Sequence, residues 1–207
     1  MAARLPVHGF VLAGGKSLRM GADKALLRVG GRPMVEIAVE KLRGFCEVVT
    51  IAGNQEGLER FGPVVRETRV AVGPAAGVEA GLAVATEEWA MFIPVDVPLV
   101  PEGMLRRWAE TVLAKDGLTA SYLHFERDQP AFCMLRRECG RGFSAALEGG
   151  ERRLGVLLER ASEGLLLVYE AGSGDVAGRA VADAHRWFAN VNTPEDLVQA
   201  EAWALEG

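Results

Sequence analysis

Cysteine is scarce: Cys46, Cys133 and Cys139 are the only three in 207 residues, and they form no CxxC pair and no metal-ligand spacing. A disulfide framework and a zinc site are thereby excluded, and the odd count fits reduced thiols in a cytoplasmic protein. Cys46 and Cys133 sit in apolar surroundings and are expected in the core. Long apolar runs are missing too, since none approaches the ~18 residues of a membrane span. The opening "MAARLPVHGF" is too short and too poor in apolar residues for a signal peptide. The chain is therefore expected to be soluble and cytoplasmic, with no membrane partner. Positive charge is not in surplus: the formal net charge is -5, which argues against a general nucleic-acid binder. The three histidines, His8, His124 and His185, fall in no motif and read as structural or surface residues. Repeats, linkers and low-complexity runs are absent, and "AGSGDVAG" at 171–178 reads as a flexible loop.

What is present is an ordinary globular composition, 49% hydrophobic and 25% charged, in strand-like runs that alternate with helical patterns. Residues 7–13 read as a buried strand, followed by a Gly-rich loop. Pro33 stands at the expected start of a helix through "MVEIAVEKLRGF" to Gly44. "EVVTIAGN" reads as a second buried strand, "EGLERF" as a short helix and "PVVRE" as a third strand. A helix is expected from about Ala76, and "AMFIPVDVPLV" is the most strongly buried strand of all. Pro101 opens an amphipathic helix. Beyond it come strands at "LTASYL", "PAFCMLR" and "GLLLVYE", helices at 142–147 and 154–160, and a last helix from Pro194. This alternation predicts an α/β fold: one three-layer α/β/α domain over 1–207. Its sheet should be mostly parallel and become mixed in the C-terminal half.

Ligands of open α/β sheets sit beyond the carboxyl ends of the strands. Three features fall there: the loop after the first strand, Asn54 after the second, and Asp96 after "MFIPV". The loop "FVLAGGKSLRMGADK" joins glycines to the cations Lys16, Arg19 and Lys24, so its ligand should be an anion. A P-loop, GxxxxGK[ST], would need glycine where Phe10 stands, and Gly9 is one residue early. A GxGxxG fingerprint fails because Gly14 and Gly15 are adjacent and the next glycine is Gly21.

The pattern that does run through 12–24, LAGG-x-S-x-RMG-x-DK, resembles the signature loop of nucleotidyltransferases that use a nucleoside triphosphate and release pyrophosphate. The doubled glycine resembles, within that group, the molybdenum cofactor guanylyltransferases. "GPAAG" (with Ala75 where that family usually has leucine), "PVDVPLVP", "GERRL" and "FANVNTPEDL" follow in the family's order, so the resemblance spans 9–199. It implies transfer of GMP from GTP to the phosphate of molybdenum-bound molybdopterin, giving the guanine dinucleotide cofactor and pyrophosphate. GTP, the molybdenum–molybdopterin acceptor and other cofactor-assembly proteins are the partners it implies. It also implies that the domain over 1–207 is a Rossmann-like nucleotidyltransferase domain, whose first half, to about residue 100, binds nucleotide and whose second half, from about 101, binds the acceptor.

Gly14 and Gly15 let backbone amides approach phosphate oxygens. Arg19 and Lys24 can neutralise charge on the departing pyrophosphate. The resemblance sets the backbone of Leu12, Ala13 and Gly14 against the base and Lys24 near the phosphates; Gly77 of "GPAAG" joins the nucleotide site. Asp96, at the end of an apolar run, needs a cation partner. Magnesium on the triphosphate fits, and the family's metal-binding aspartate matches this position. Asp96, Lys24 and Arg19 are thus the expected catalytic set. Asn192 or Thr193 caps the last helix, with Pro194 in its first position, while an asparagine oxygen could supplement Asp96 on the metal. In the family the segment of Asn190 and Asn192 lies near the acceptor.

The carboxylate expected to read guanine's pairing edge is Glu67, the nearest match to a family aspartate, one methylene longer and one residue off in loop length. Asn54 matches the family's asparagine after the second strand to within a residue or so. Arg152 and Arg153 read either as a solvated helix start or, by the resemblance, as a contact to the pterin substrate, Arg153 being the residue assigned to acceptor binding. A phosphate monoester, already mostly dianionic with a second pKa of about 6, can attack without a general base. That suits a site of cations and metal. A CTP-dependent sister enzyme, a sugar- or alditol-phosphate nucleotidyltransferase and a non-catalytic nucleotide-binding protein stay open as alternatives.

Overall fold

A computed structural model describes residues 3–14, 23–70, 72–163, 165–171 and 184–206. Gly15, Lys16, Arg19 and residues 172–178 of the expected "AGSGDVAG" loop lie outside the described residues.

The chain opens with β1 (Leu5–Leu12), whose last six residues are all buried. Such a run can lie only in a strand covered on both faces. After a 3₁₀ turn (Lys24–Leu26) comes a two-stranded antiparallel ribbon, β2 (Arg28–Val29) and β3 (Arg32–Pro33). The sequence pattern does not show this ribbon. Pro33 closes this ribbon and is the N-cap of the helix that starts at Met34, so the helix begins where expected to within one residue. Next come α1 (Met34–Arg43), β4 (Cys46–Ala52), β5 (Val64–Val65), α2 (Ala75–Val84), β6 (Trp89–Pro94) and α3 (Glu102–Leu113). The "EGLERF" stretch forms only a 3₁₀ turn, Leu58–Arg60. The second half contributes β7 (Ala120–Phe125), β8 (Arg127–Arg136), α4 (Gly140–Glu148), α5 (Leu154–Ala161), β9 (Leu166–Glu170), α6 (Ala184–Trp187) and α7 (Pro194–Glu206).

The main sheet has seven strands in the order β5-β4-β1-β6-β8-β7-β9. β8 alone among them runs antiparallel, to both β6 and β7, while β9 returns parallel to β7. The sheet is thus mostly parallel and mixed in its C-terminal half, as the succession of two strands near 119–136 implies. Alternate residues of each strand face opposite layers. Val7, Val11, Met91 and Ile93 pack with α1, α3 and the Trp187–Val191 stretch. Phe10, Leu12, Ala90 and Phe92 pack with α2, α4 and α5. All three cysteines are buried and unpaired. His8 is also buried: Thr86 N–H donates to its Nδ1 at 3.2 Å, and Nε2 faces Thr50 Oγ1 at 2.9 Å. Its pKa is lowered by burial, so it stays neutral and structural. No helix among the described residues is long and apolar enough to cross a membrane.

Candidate active site at the carboxyl edge of the sheet

β1, β4 and β6 lie side by side and parallel, so the segments leaving them emerge on one edge. Backbone bonds carry the pairing past the strand ends: Ala13 N–H to Ala52 O at 2.8 Å, Val95 N–H to Leu12 O at 3.1 Å, and Gly53 N–H to Val65 O at 3.1 Å. These bonds fix the chain at Ala13, just past the end of β1. Gln55 adds to them, its Nε2 donating to the Ala13 carbonyl at 2.6 Å. Sequence reasoning missed Gln55, because nothing marks a glutamine three residues past a strand as reaching back to a neighbouring strand.

Lys24, Asp96 and Asn192 meet on this edge although they are 72 and 168 residues apart from Lys24 along the chain. Asp23 caps the short 3₁₀ turn by accepting from Ala25 N–H at 3.1 Å, which aims the following Lys24 inward. Lys24 Nζ donates to Asp96 Oδ2 at 2.7 Å and to Asn192 Oδ1 at 2.6 Å. The cation that Asp96 requires is therefore Lys24 in this structure. Both side chains are mostly covered, 18% and 26% exposed, so the pair is screened by water less than a surface ion pair.

Asn192 is held by its own backbone. Val191 N–H donates to Asp96 O at 2.8 Å, and the Asn192 and Thr193 amides both donate to Asp196 Oδ2, at 2.8 and 2.9 Å. Asp196 N–H in turn donates to Thr193 Oγ1 at 3.2 Å. This is a reciprocal capping box with Pro194 in the first helical position. Thr193, not Asn192, is the cap, which leaves the Asn192 amide to face Lys24. The Asn192 N–H, ahead of the Thr193 groups, lowers the Asp196 pKa, and Lys24 adds to the effect. The signal for this box, T-x-x-D, is present in the sequence. Asn190 is half-buried two residues earlier, and its side chain has no hydrogen bond to a described residue.

A second polar group lies on the β4–β5 side of the same edge. The Glu67 carboxylate sits against α2 and the start of the glycine loop. A Cβ built on Gly14 would lie 2.0 Å from Glu67 Oε1, and one on Gly77 would lie 3.2 Å from it. A Cβ on Gly77 would also meet Leu12 Cδ2 at 2.7 Å. Gly14 and Gly77 are thus needed for close packing around this carboxylate. No described group donates a hydrogen bond to it, and burial raises its pKa. Asn54 does not itself face this space: its Nδ2 donates to Glu67 O and its Oδ1 accepts from Glu67 N–H, both at 2.9 Å. It acts as a clamp on the Glu67 backbone.

Arg153 stands apart from both groups. It precedes α5, is 77% exposed, and pairs with Glu151 at 3.0 Å. Glu151 also accepts from the Arg153 and Arg152 amides, and the Arg153 side chain leads in lowering its carboxyl to about 2. Because α5 feeds β9 at the opposite edge, the α4–α5 turn lies toward the loop edge. Arg69, two residues beyond Glu67, links that side by pairing with Glu79 of α2 at 2.6 Å and Glu148 of α4 at 3.2 Å.

A mostly parallel α/β sheet, with a glycine-rich sequence after its first strand and a lysine–carboxylate pair on its carboxyl edge, is the architecture of nucleotidyl-transferring proteins. Solved structures of that class share the fold. Protein A of molybdopterin-guanine dinucleotide biosynthesis from Archaeoglobus fulgidus aligns with a TM-score of 0.74 at 22% identity, covering 97% of this chain and 100% of that one. A nucleotidyl transferase from Methanothermobacter aligns with a TM-score of 0.73 at 21% identity, covering 97% and 98%. The MobA-like NTP transferase domain model matches residues 9–164, and the chain belongs to that family. The molybdenum cofactor guanylyltransferase of Vibrio cholerae is 31% identical over 193 residues, covering 91% of this chain and 88% of its own length.

Proposed function

We propose that this protein transfers GMP from GTP to the terminal phosphate of molybdenum-bound molybdopterin, releasing pyrophosphate. The observation that carries the reading is the convergence of Lys24, Asp96 and Asn192 on the carboxyl edge of the sheet. A phosphate oxygen of the acceptor attacks the α-phosphorus of GTP; the new P–O bond forms as the bond to the β-phosphate oxygen breaks, and that oxygen leaves with its electron pair. Lys24, whose ammonium already holds two oxygens, neutralises charge on the triphosphate. The capping box holds Asn192 in place throughout. No proton has to be removed from a phosphate dianion, so the residues need only align and neutralise.

The donor set suits magnesium. Asp96 Oδ2 and Asn192 Oδ1 are hard oxygens aimed at one cation position, 2.7 and 2.6 Å from Lys24 Nζ, and magnesium takes one or two such ligands alongside phosphate oxygens. No cluster of three or more acidic, histidine or cysteine side chains among the described residues forms a metal cage, which is consistent with a metal that arrives on the triphosphate. When bound, it would supply charge neutralisation at the phosphates. Glu67, a carboxylate without a donor beside Gly14, matches the two adjacent donors on guanine's pairing edge. The same reading puts the protein in the cytoplasm, in exchange with other cofactor-assembly proteins.

The test is pyrophosphate release with GTP, magnesium and the molybdenum-loaded pterin. Lys24→Met and Asp96→Asn should each lower kcat by about 10²-fold or more, the scale of losing one charge-stabilising contact. Preference for CTP would move the protein to the cytidylyl-transferring group. Nucleotide binding without turnover would refute the enzymatic reading.

A further inference from the structure

On the layer of α1 and α3 the described residues line an open cavity of about 550 Å³. Lys24, Asp96 and Asn192 do not line it. Its walls carry Arg32 from β3, Lys41 from α1, Arg186 and Trp187 from α6, and Trp203 and Glu206 from α7, with Leu99 and Pro101 as apolar floor. The volume falls within the range of small-molecule sites, which combine an apolar lining with a few placed polar groups.

The lining is aromatic and cationic together. Trp203 is half-buried, and the Arg186 guanidinium lies 5.7 Å from its ring centroid, so indole surface and positive charge share one wall. Glu206, the one carboxylate of the lining, is tied to Arg186 at 2.7 Å, while Arg32 is paired through Nη2 with Glu36 at 3.4 Å and with Glu40, neither of which lines the cavity. Lys41 has three donors, of which one reaches the Pro98 carbonyl; the other two have no partner among the described residues. Burial is the chief cause that lowers its pKa to about 7, and Glu102 opposes the shift. A half-buried amine with two open donors beside apolar walls is complementary to an anion that enters with a ring.

We propose that this cavity is a second ligand site, separate from the nucleotidyl-transfer site, that takes a planar aromatic ring bearing an anionic group. The ring lies against Trp203, with Leu99 and Pro101 beneath it, and the anion meets Lys41 and Arg32. The site is coupled to the chain segments of the active edge, because Pro98 follows Asp96 by two residues and α7 starts just after Asn192.

The full-length protein is titrated calorimetrically with 2-naphthoate as probe, and in parallel with uncharged 2-naphthamide and with inorganic phosphate. Saturable binding of 2-naphthoate is expected, about tenfold tighter than the amide, with phosphate alone weaker than either; one charge-assisted contact sets that factor. Lys41→Met and Trp203→Ala should each weaken 2-naphthoate by about tenfold or more. Arg32 is 45% exposed, so Arg32→Gln folds irrespective of the cavity and should weaken the probe several-fold. No saturable binding to the unmutated protein would overturn the proposal. So would equal binding of naphthoate and naphthamide, or 2-naphthoate affinity unchanged by Arg32→Gln and Trp203→Ala.

Discussion

Replacing Glu67 by glutamine should move nucleotide affinity and protein stability in opposite directions. The carboxylate lies against Gly14 and Gly77 with no described donor, so its acceptor capacity is open to a ligand. A guanine edge offers it two N–H groups, and each hydrogen bond to a charged group is worth about 1.5–3 kcal/mol. Glutamine keeps one acceptor and turns an NH₂ toward the other donor, so at least one bond is lost. GTP should then bind about 10- to 150-fold more weakly, while ATP and CTP, which lack that donor pair, change little. The free protein should behave oppositely. Burial raises the Glu67 pKa, so the folded state holds that proton more tightly than the unfolded chain. A group shifted upward stabilises the fold below its unfolded value and loses that contribution as pH rises through the folded value. At neutral pH the ionised carboxylate therefore costs stability, and the neutral glutamine removes the cost. The variant should melt higher than the parent at pH 7.5, and the difference should shrink as pH falls below the ordinary carboxylate range, about pH 4. Calorimetric titration with the three nucleotides and thermal melts at both pH values read the two effects. Equal weakening for every nucleotide would refute the base-reading role. An unchanged melting temperature at pH 7.5 would refute the electrostatic argument.

Two further outcomes follow from packing and capping. Gly81→Ala would place a Cβ 2.5 Å from Phe92 Cε1 and 3.1 Å from Phe10 Cδ1, within a stacked aromatic pair whose centroids are 5.0 Å apart; overpacking of this kind costs about 1–3 kcal/mol, to be read as a lowered urea midpoint. Asp196→Ala should lose about 0.5–2 kcal/mol with the capping box, and because the Asp196 pKa is lowered by the Asn192 amide, that contribution is present above the ordinary aspartate pKa of about 3.9 and disappears as pH falls through the folded value. Urea unfolding of parent and variant from pH 7 to pH 3 should show the gap closing; a gap that persists in acid would sink the linkage.

The fold class was legible in the sequence because strands buried on both faces read as unbroken apolar runs and amphipathic helices carry their own period. β1, β4 and β6, α1 and α3, and the cap of α7 all stand close to where local pattern puts them. Elements of two or three residues left no such period: the β2–β3 ribbon was invisible. At the site, sequence marked Lys24, Asp96, Asn192 and Glu67 by residue type and place. Only the tertiary structure brought Lys24 and Asn192 together across 168 residues, because the crossovers that set strand order are not written in any local window. The same holds for the Asn54 clamp on Glu67, for Gln55 on the Ala13 carbonyl and for the cavity beside Lys41. Each is a contact between segments whose sequences do not refer to one another, and the sheet edge is what makes them neighbours.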